Sequence, residues 1–261
     1  ELVEELGIEP MDFRPLIQIP HHDPDKSVLL DVWLVSNWSG KPYGKEGQTI
    51  QCVQAHELDD FRFPEANTGI IKAACLPALY LITPDVGDSE RAFIQQLELS
   101  LQNGVSLVQY RQKKLEAGDF ERLAKQVIDR CHESGAKVLL NSSPQQAQTL
   151  GADGVQLNAD ELKACNKRPL PKKYLVAASC HNELELYHAN KLGLDFALLS
   201  PVRKTSTHPD ARPLGWNRFA ECVTNMSIPV YALGGVTRED VDRSWECGGQ
   251  GISAITALWG S

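Results

Sequence analysis

The chain has 261 residues, 42% hydrophobic and 23% charged, a globular composition that excludes disordered and fibrous classes. Its formal charge of −8 is uneven: residues 1–75 carry 6 basic and 13 acidic side chains, residues 76–261 carry 20 and 21. That balance argues against wrapping a nucleic acid polymer and leaves acidic side chains gathered around a divalent cation open. No run approaches the roughly 18 apolar residues of a membrane span and no signal peptide opens the chain, so a cytoplasmic protein is expected. Seven cysteines without a CxxC pair predict reduced thiols rather than disulfides or zinc. With Glu1 first and methionine only at Met11 and Met226, the start reads as internal to a longer protein.

In chain order, residues 1–7 (ELVEELG) are helix formers closed by a glycine, the pattern of a helix end. Residues 13–21 and 28–36 read as strands, 40–47 as a turn-rich connection, 48–54 as a further short strand and 65–75 as a helix. From residue 79 the pattern becomes regular. Near-continuous apolar runs recur at 79–83, 105–110, 136–140, 153–157, 174–178, 195–199, 228–233 and 251–255, most of them separated by amphipathic stretches. Eight strand–helix repeats in about 180 residues predict an α/β fold with a parallel sheet, best closed as a (β/α)8 TIM barrel, with a doubly wound sheet as the competing architecture.

In a barrel the reacting groups lie just past the C-terminal ends of the strands. After the second predicted strand, Gln109, Arg111 and Lys113 alternate at period two and point the same way, so an arginine and a lysine converge on an anion site; solvated charge at a strand end is the plainer alternative. Asn141 follows the third run, and Ser179 and His181 the fifth. The polar connection after the sixth run carries Thr205, Ser206, Thr207 and His208 near its tip, where a loop can close over substrate. Glycines in ALGGV and GGQGISAI, at the seventh and eighth runs, sit where backbone N–H groups can cradle phosphate.

These motifs, QYRQK (109–113), Asn141, SCH (179–181), the TST tip (205–207), LGGV (233–236) and GISAI (251–255), resemble thiamine phosphate synthase and its TenI relatives over roughly residues 77–261. The resemblance implies a barrel that joins hydroxymethylpyrimidine pyrophosphate to thiazole phosphate: pyrophosphate leaves, and the thiazole nitrogen captures the pyrimidinylmethyl cation. It implies that Gln109, Arg111, Lys113 and Asn141 hold the pyrimidine pyrophosphate, that Ser179 faces the pyrimidine, and that Thr205, Thr207, Gly235, Ile252 and Ser253 hold the thiazole phosphate. The sequence also departs from that pattern. Ser142 stands where the family has a magnesium carboxylate, the second metal carboxylate falls at Glu161, preceded by Asp160, and His208 replaces a lysine. Losing a metal ligand and a cation weakens stabilisation of a departing pyrophosphate, so a barrel that binds these phosphates without joining them is expected.

Glu1, Glu4 and Glu5 are spaced i, i+3, i+4 and predict three carboxylates on one helical face, suited to a metal or merely solvated. ELVEELGI resembles the end of a Nudix box, and GKPYGKEGQ (40–48) with FPEAN (63–67) resembles the MutT-type branch, which hydrolyses oxidised purine nucleoside triphosphates such as 8-oxo-dGTP. That resemblance implies that Glu1, Glu4 and Glu5 bind magnesium and activate water as catalytic residues, that Asn67 reads the base, and that Gln51 replaces a further metal-site glutamate. A helix N-terminal cap is the other reading of Asn67.

Together these imply a Nudix pyrophosphohydrolase fused to a phosphate-binding barrel, divided into residues 1–75 and 76–261. Its partners would be a nucleoside triphosphate and phosphorylated thiamine precursors, and its cofactor Mg2+. An active thiamine phosphate synthase and a non-catalytic binding barrel are the alternatives; oligomeric state stays open.

Overall fold

The structure, a computed structural model, describes residues 1–22, 27–64, 67–205 and 212–260. Eight parallel strands close into a barrel: β3 (Leu79–Ile82), β4 (Leu107–Tyr110), β5 (Lys137–Leu140), β6 (Gly154–Leu157), β7 (Leu175–Cys180), β8 (Phe196–Leu199), β9 (Val230–Leu233) and β10 (Gly251–Ala254). β10 closes the ring on β3, with Ile252 opposite Leu79. The predicted alternation and closed barrel are therefore present, with each strand trimmed to its paired residues.

Period-two alternation sorts the strand side chains into two layers. Outward residues such as Leu81, Val108, Val155 and Ile252 pack under the surrounding helices α2 (Glu90–Gln102), α3 (Ala117–Glu133), α4 (Pro144–Leu150), α5 (Ala159–Ala164), α6 (Glu183–Lys191), α7 (Gly215–Val223) and α8 (Val241–Glu246). Inward residues Tyr80, Leu107, Leu139, Phe196 and Tyr231 fill the barrel axis, with Tyr80, Phe196 and Tyr231 in mutual ring contact at 5.2–5.7 Å. Helix starts follow local chemistry: Ser89, Ser143 and Asn182 accept the third N–H of their helices, and Pro144 occupies a position where no N–H is needed.

The N-terminal residues fold differently from the expected Nudix half. β1 (Glu9–His22) and β2 (Ser27–Ser39) form a two-stranded antiparallel hairpin, residues 48–54 form no strand, and α1 (Thr68–Cys75) follows a short 3-10 turn. The hairpin lays Leu16, Ile17, Ile19, Leu30, Val32 and Leu34 against Ile70 and Ala73 of α1, and Arg14 stacks 4.1 Å over Trp245 of α8. Met11, Phe13, Trp33 and Trp38 remain exposed.

α1 itself closes the barrel floor. Gln250, just before β10, donates to Ala73 O and Leu76 O; Lys72 Nζ lies 3.1 Å from Asp195, just before β8; and Gly69 approaches the Ser227 carbonyl so closely that a Cβ would collide with it. All three contacts lie at the strands' N-terminal ends. α1 thus packs on the hairpin through Ile70 and Ala73 and on the barrel floor through Gly69, Lys72 and its last carbonyls.

The metal expectation for Glu1, Glu4 and Glu5 also fails on geometry. The five residues Leu2–Leu6 form a π-helical turn ending at left-handed Gly7 (φ 67°). Its wider turn breaks the i, i+3, i+4 alignment that a 3.6-residue helix would give. Glu1 and Glu4 side chains are 95% and 84% exposed, and among the described residues no three His, Cys, Asp or Glu side chains are grouped to hold a metal.

Among the described residues the cysteines form no disulfide; Cys52 and Cys75 are exposed, Cys75 Sγ donating to Ala55 O (3.2 Å), and burial pushes Cys131 and Cys180 up to about 12. Brief treatment of the native protein with iodoacetamide at pH 8 should label Cys52 while Cys131 and Cys180 react only after denaturation. Labelling of Cys131 in the native state, read by peptide mass, would contradict this packing. Among the described residues no helix is long and apolar enough to cross a membrane.

Candidate active site

A cavity of about 770 Å³ opens at the C-terminal ends of the barrel strands, opposite α1. Gln109, Arg111, Lys113, Asn141, Ser179 and Thr205, drawn from four different strand ends, all line it. The loops after β3 and β4 hold the first three in place. Arg111 N–H donates to Thr83 Oγ1 (3.0 Å), Lys113 N–H donates to Asp85 Oδ1 (3.0 Å), and Gln112 bridges Val86 N–H and Pro84 O. With its backbone clamped, the segment presents alternate side chains to the cavity.

Charge and polarity there await a partner. Among the described residues, neither Arg111 nor Lys113 has a carboxylate within ion-pair distance, although most other arginines at the surface are paired. Gln109 is 3% exposed, and its Oε1 has no hydrogen-bond partner among the described residues. A buried orphan acceptor beside two unpaired cations fits a ligand that carries both an anion and hydrogen-bond donors.

Across the cavity, Asn141 Nδ2 donates to Gln156 O (3.2 Å), which leaves Oδ1 available as an acceptor. Gln156 Nε2 donates to Ser179 Oγ (3.1 Å), and Tyr80 OH donates to Gln156 Oε1 (3.0 Å). His181 also faces the cavity, with Nδ1 3.2 Å from Glu185 Oε2. Burial alone would raise the Glu185 carboxyl, but hydrogen bonds from the His181 backbone and ring and from Asn182 outweigh it and hold the group below its ordinary value. Gln156 and Tyr80 escaped the sequence reading because a polar residue inside an apolar run looks incidental. Their signal was register: Gln156 falls on the inward phase of β6.

The turn after β9 is built for close approach. Gly234 and Gly235 have φ of 95° and 70°, and a Cβ on Gly235 would collide with the Lys204 carbonyl. The chain leaving β8 lies directly on this turn, with Val202 N–H donating to Leu233 O and Arg203 N–H to Gly234 O (both 2.9 Å), and this contact carries Thr205 to the cavity. Gly234 rather than Gly235 lines the cavity. Ile252 packs outward under the helices and Ser253 is buried in the wall, so neither side chain reaches the cavity lining. Any ligand contact from residues 252 and 253 would come from their main chain. Ser206, Thr207 and His208 lie outside the described residues.

The acids after β6 exchange their expected places. Glu161 folds back, its Oε2 accepting from Asn158 N–H (2.8 Å) in a capping box, while Asp160 lines the cavity with its side chain 98% exposed. A residue at the third helical position reaches its own N-cap, and its predecessor points away from it. Ser142 donates to Ser143 O. In the N-terminal segment, Asn67 occupies the N-cap position of α1 but makes no side-chain capping bond.

Comparison with known proteins gives the family of the barrel. Residues 79–258 match the family model described as thiamine monophosphate synthase. The putative thiamine-phosphate synthase 2 of Aquifex aeolicus is 36% identical over 181 residues, covering 69% of this chain and 97% of that protein. A thiamine-phosphate synthase of Synechococcus sp. WH7803 is 34% identical over 70% of this chain, which spans about half (52%) of its length. That of Synechococcus sp. CC9605 is 30% identical over 92% of this chain and 70% of its own. Among solved structures, thiamine phosphate pyrophosphorylase from Pyrococcus furiosus shares the fold, with a TM-score of 0.58 at 23% identity over 75% of this chain and 90% of that one.

These findings overturn the Nudix reading. The match to the CC9605 protein runs through most of the N-terminal segment, so that segment is shared with a synthase relative, and among the described residues no carboxylates are grouped to hold a metal that would activate water. The nucleoside triphosphate partner, the catalytic roles of Glu1, Glu4 and Glu5 and the base-reading role of Asn67 fall with it. The relatives favour the transferase alternative over a pyrophosphohydrolase with a merely binding barrel.

Proposed function

Since this chain belongs to the thiamine monophosphate synthase family, we propose that its barrel is an active synthase joining hydroxymethylpyrimidine pyrophosphate to thiazole phosphate. The observation that carries the reading is the pair of unpaired cations, Arg111 and Lys113, beside the orphaned Gln109 acceptor in one cavity.

In this reading the bond between the pyrimidinylmethyl carbon and the pyrophosphate oxygen breaks, and its electron pair leaves with pyrophosphate. The thiazole nitrogen then donates its lone pair to the methyl carbon, giving thiamine phosphate and free pyrophosphate. Arg111 and Lys113 stabilise the negative charge that grows on the leaving group, held in place by the clamped loop so that little reorganisation is needed. Gln109 Oε1 accepts from the pyrimidine, Asn141 and Ser179 fix the ring, and Thr205 with the turn at Gly234 and Gly235 receives the thiazole phosphate, joined by Thr207 and the main chain at Ile252 and Ser253.

The donor set fits magnesium. Mg2+ keeps several waters and takes one or two carboxylates together with substrate phosphates, so it needs no cage of protein ligands. The exposed Asp160 carboxylate and Asn141 Oδ1 would hold it in this cavity, with Glu161 committed to its cap. When bound, the ion would neutralise part of the pyrophosphate charge.

The test is to supply both substrates with magnesium and follow thiamine phosphate. Turnover that stops with EDTA and returns with Mg2+ is the expected result. No product with both substrates present would refute the reading, and full turnover in EDTA would remove magnesium from it.

A further inference from the structure

Beneath Ser179 lies a buried hydrogen-bond chain whose direction is determined at both ends. Tyr80 has no exposed surface, and its ring is wedged against Phe196 and Tyr231. A buried phenol must give its proton to an acceptor, and among the described residues the one it meets is Gln156 Oε1, at 3.0 Å. The other end of the amide is pinned independently: Nε2 faces Leu157 O at 3.5 Å, an atom that can only accept, and Ser179 Oγ at 3.1 Å. Inverting the amide would set two carbonyl oxygens against each other and strand the Tyr80 proton. Nε2 therefore donates to Ser179 Oγ and occupies a lone pair there. The Ser179 proton is left for the cavity that the residue lines.

We propose that Tyr80 and Gln156 are positioning residues that make Ser179 a hydrogen-bond donor, so that the site selects a ring presenting an acceptor nitrogen toward it. This rests on the reading of the cavity as the pyrimidine site. The selectivity arises because a ring N–H in that place would meet a donor, leaving two buried donors opposed. Neither positioning residue needs to touch the substrate: the polarity is passed along two hydrogen bonds from a residue packed in the barrel axis.

The experiment is a double-mutant cycle read by calorimetry with hydroxymethylpyrimidine pyrophosphate, using wild type, Tyr80→Phe, Ser179→Ala and the double variant. Tyr80→Phe keeps the ring packing and removes the proton, leaving only the long 3.5 Å contact with Leu157 O against inversion, so the amide can turn and capture the Ser179 hydrogen. Each single substitution should weaken binding about 5–10-fold, the size of one net hydrogen bond, and the double should bind no more weakly than Ser179→Ala. Thiazole phosphate binding should be unchanged in all four. Gln156→Met, which removes the amide altogether, should show the same non-additivity with Ser179→Ala. An unchanged dissociation constant in Tyr80→Phe, or a loss that adds in full to that of Ser179→Ala, would overturn the inference. Coupled binding without formation of thiamine phosphate would leave it standing and overturn the synthase reading. No binding of the pyrimidine pyrophosphate to wild type would overturn both.

Discussion

Arg111→Ala should lower kcat/KM for the pyrimidine pyrophosphate by about 10²–10³-fold, the loss typical of removing one preorganised donor from a developing negative charge. The residue is suited to that role by what surrounds it. Its N–H donates to Thr83 Oγ1, Asp85 anchors the Lys113 N–H two residues on, and its guanidinium has no carboxylate partner among the described residues, so its charge is uncommitted before substrate arrives. Most of the loss should appear in kcat, because the pyrophosphate gains charge as the carbon–oxygen bond breaks. Arg111→Lys should recover only part of it, since an ammonium keeps the charge but cannot present two parallel N–H groups to a phosphate. Steady-state kinetics with thiazole phosphate saturating separates these effects. A loss below about fivefold in Arg111→Ala would mean that the leaving group lies elsewhere.

The second large effect concerns stability. Asp195→Ala should cost about 3–5 kcal/mol, because it strands two cations at the barrel floor. Asp195 is 9% exposed; it accepts from Arg168 Nη2 (2.5 Å) and Val176 N–H (2.7 Å) and pairs with Lys72 Nζ (3.1 Å). Lys72→Met should cost far less. Without Lys72, Asp195 still keeps Arg168 and a backbone donor, and burial already lowers the Lys72 pKa below its ordinary value, so its charge is held at some expense. Urea unfolding of both variants checks the asymmetry. Equal losses would show that Lys72, and not the carboxylate, is the centre of the network.

Comparing what was legible with what was not points to the range of the interactions involved. Barrel strands announce themselves because a strand covered on both faces must be apolar along its whole length, and most such runs here are followed by an amphipathic helix pattern. Gln109, Arg111 and Lys113 were readable for a related reason, since period-two alternation at a strand end is local geometry, and the structure lines one cavity with all three. The N-terminal segment misled because acidic spacing and a few turn motifs are short-range signals that many folds share. Whether Glu1, Glu4 and Glu5 converge depends on helix type, and five residues closed by Gly7 settle into a π turn.

By itself, then, the sequence determined the repeat, the parallel sheet and the polar residues at its strand ends, all of which follow from side-chain periodicity, while closure into a barrel rather than a doubly wound sheet was decided by the pairing of β10 with β3. Tertiary structure alone decided which neighbour of a pair faces the ligand. Gly234 lines the cavity while Gly235 makes room for the Lys204 carbonyl. It also decided that α1 serves as the barrel floor and that Tyr80, 76 residues from Gln156, sets the hydrogen-bond direction of Ser179. Those outcomes depend on contacts between segments far apart in the chain, whose distances and directions no local pattern of residues encodes.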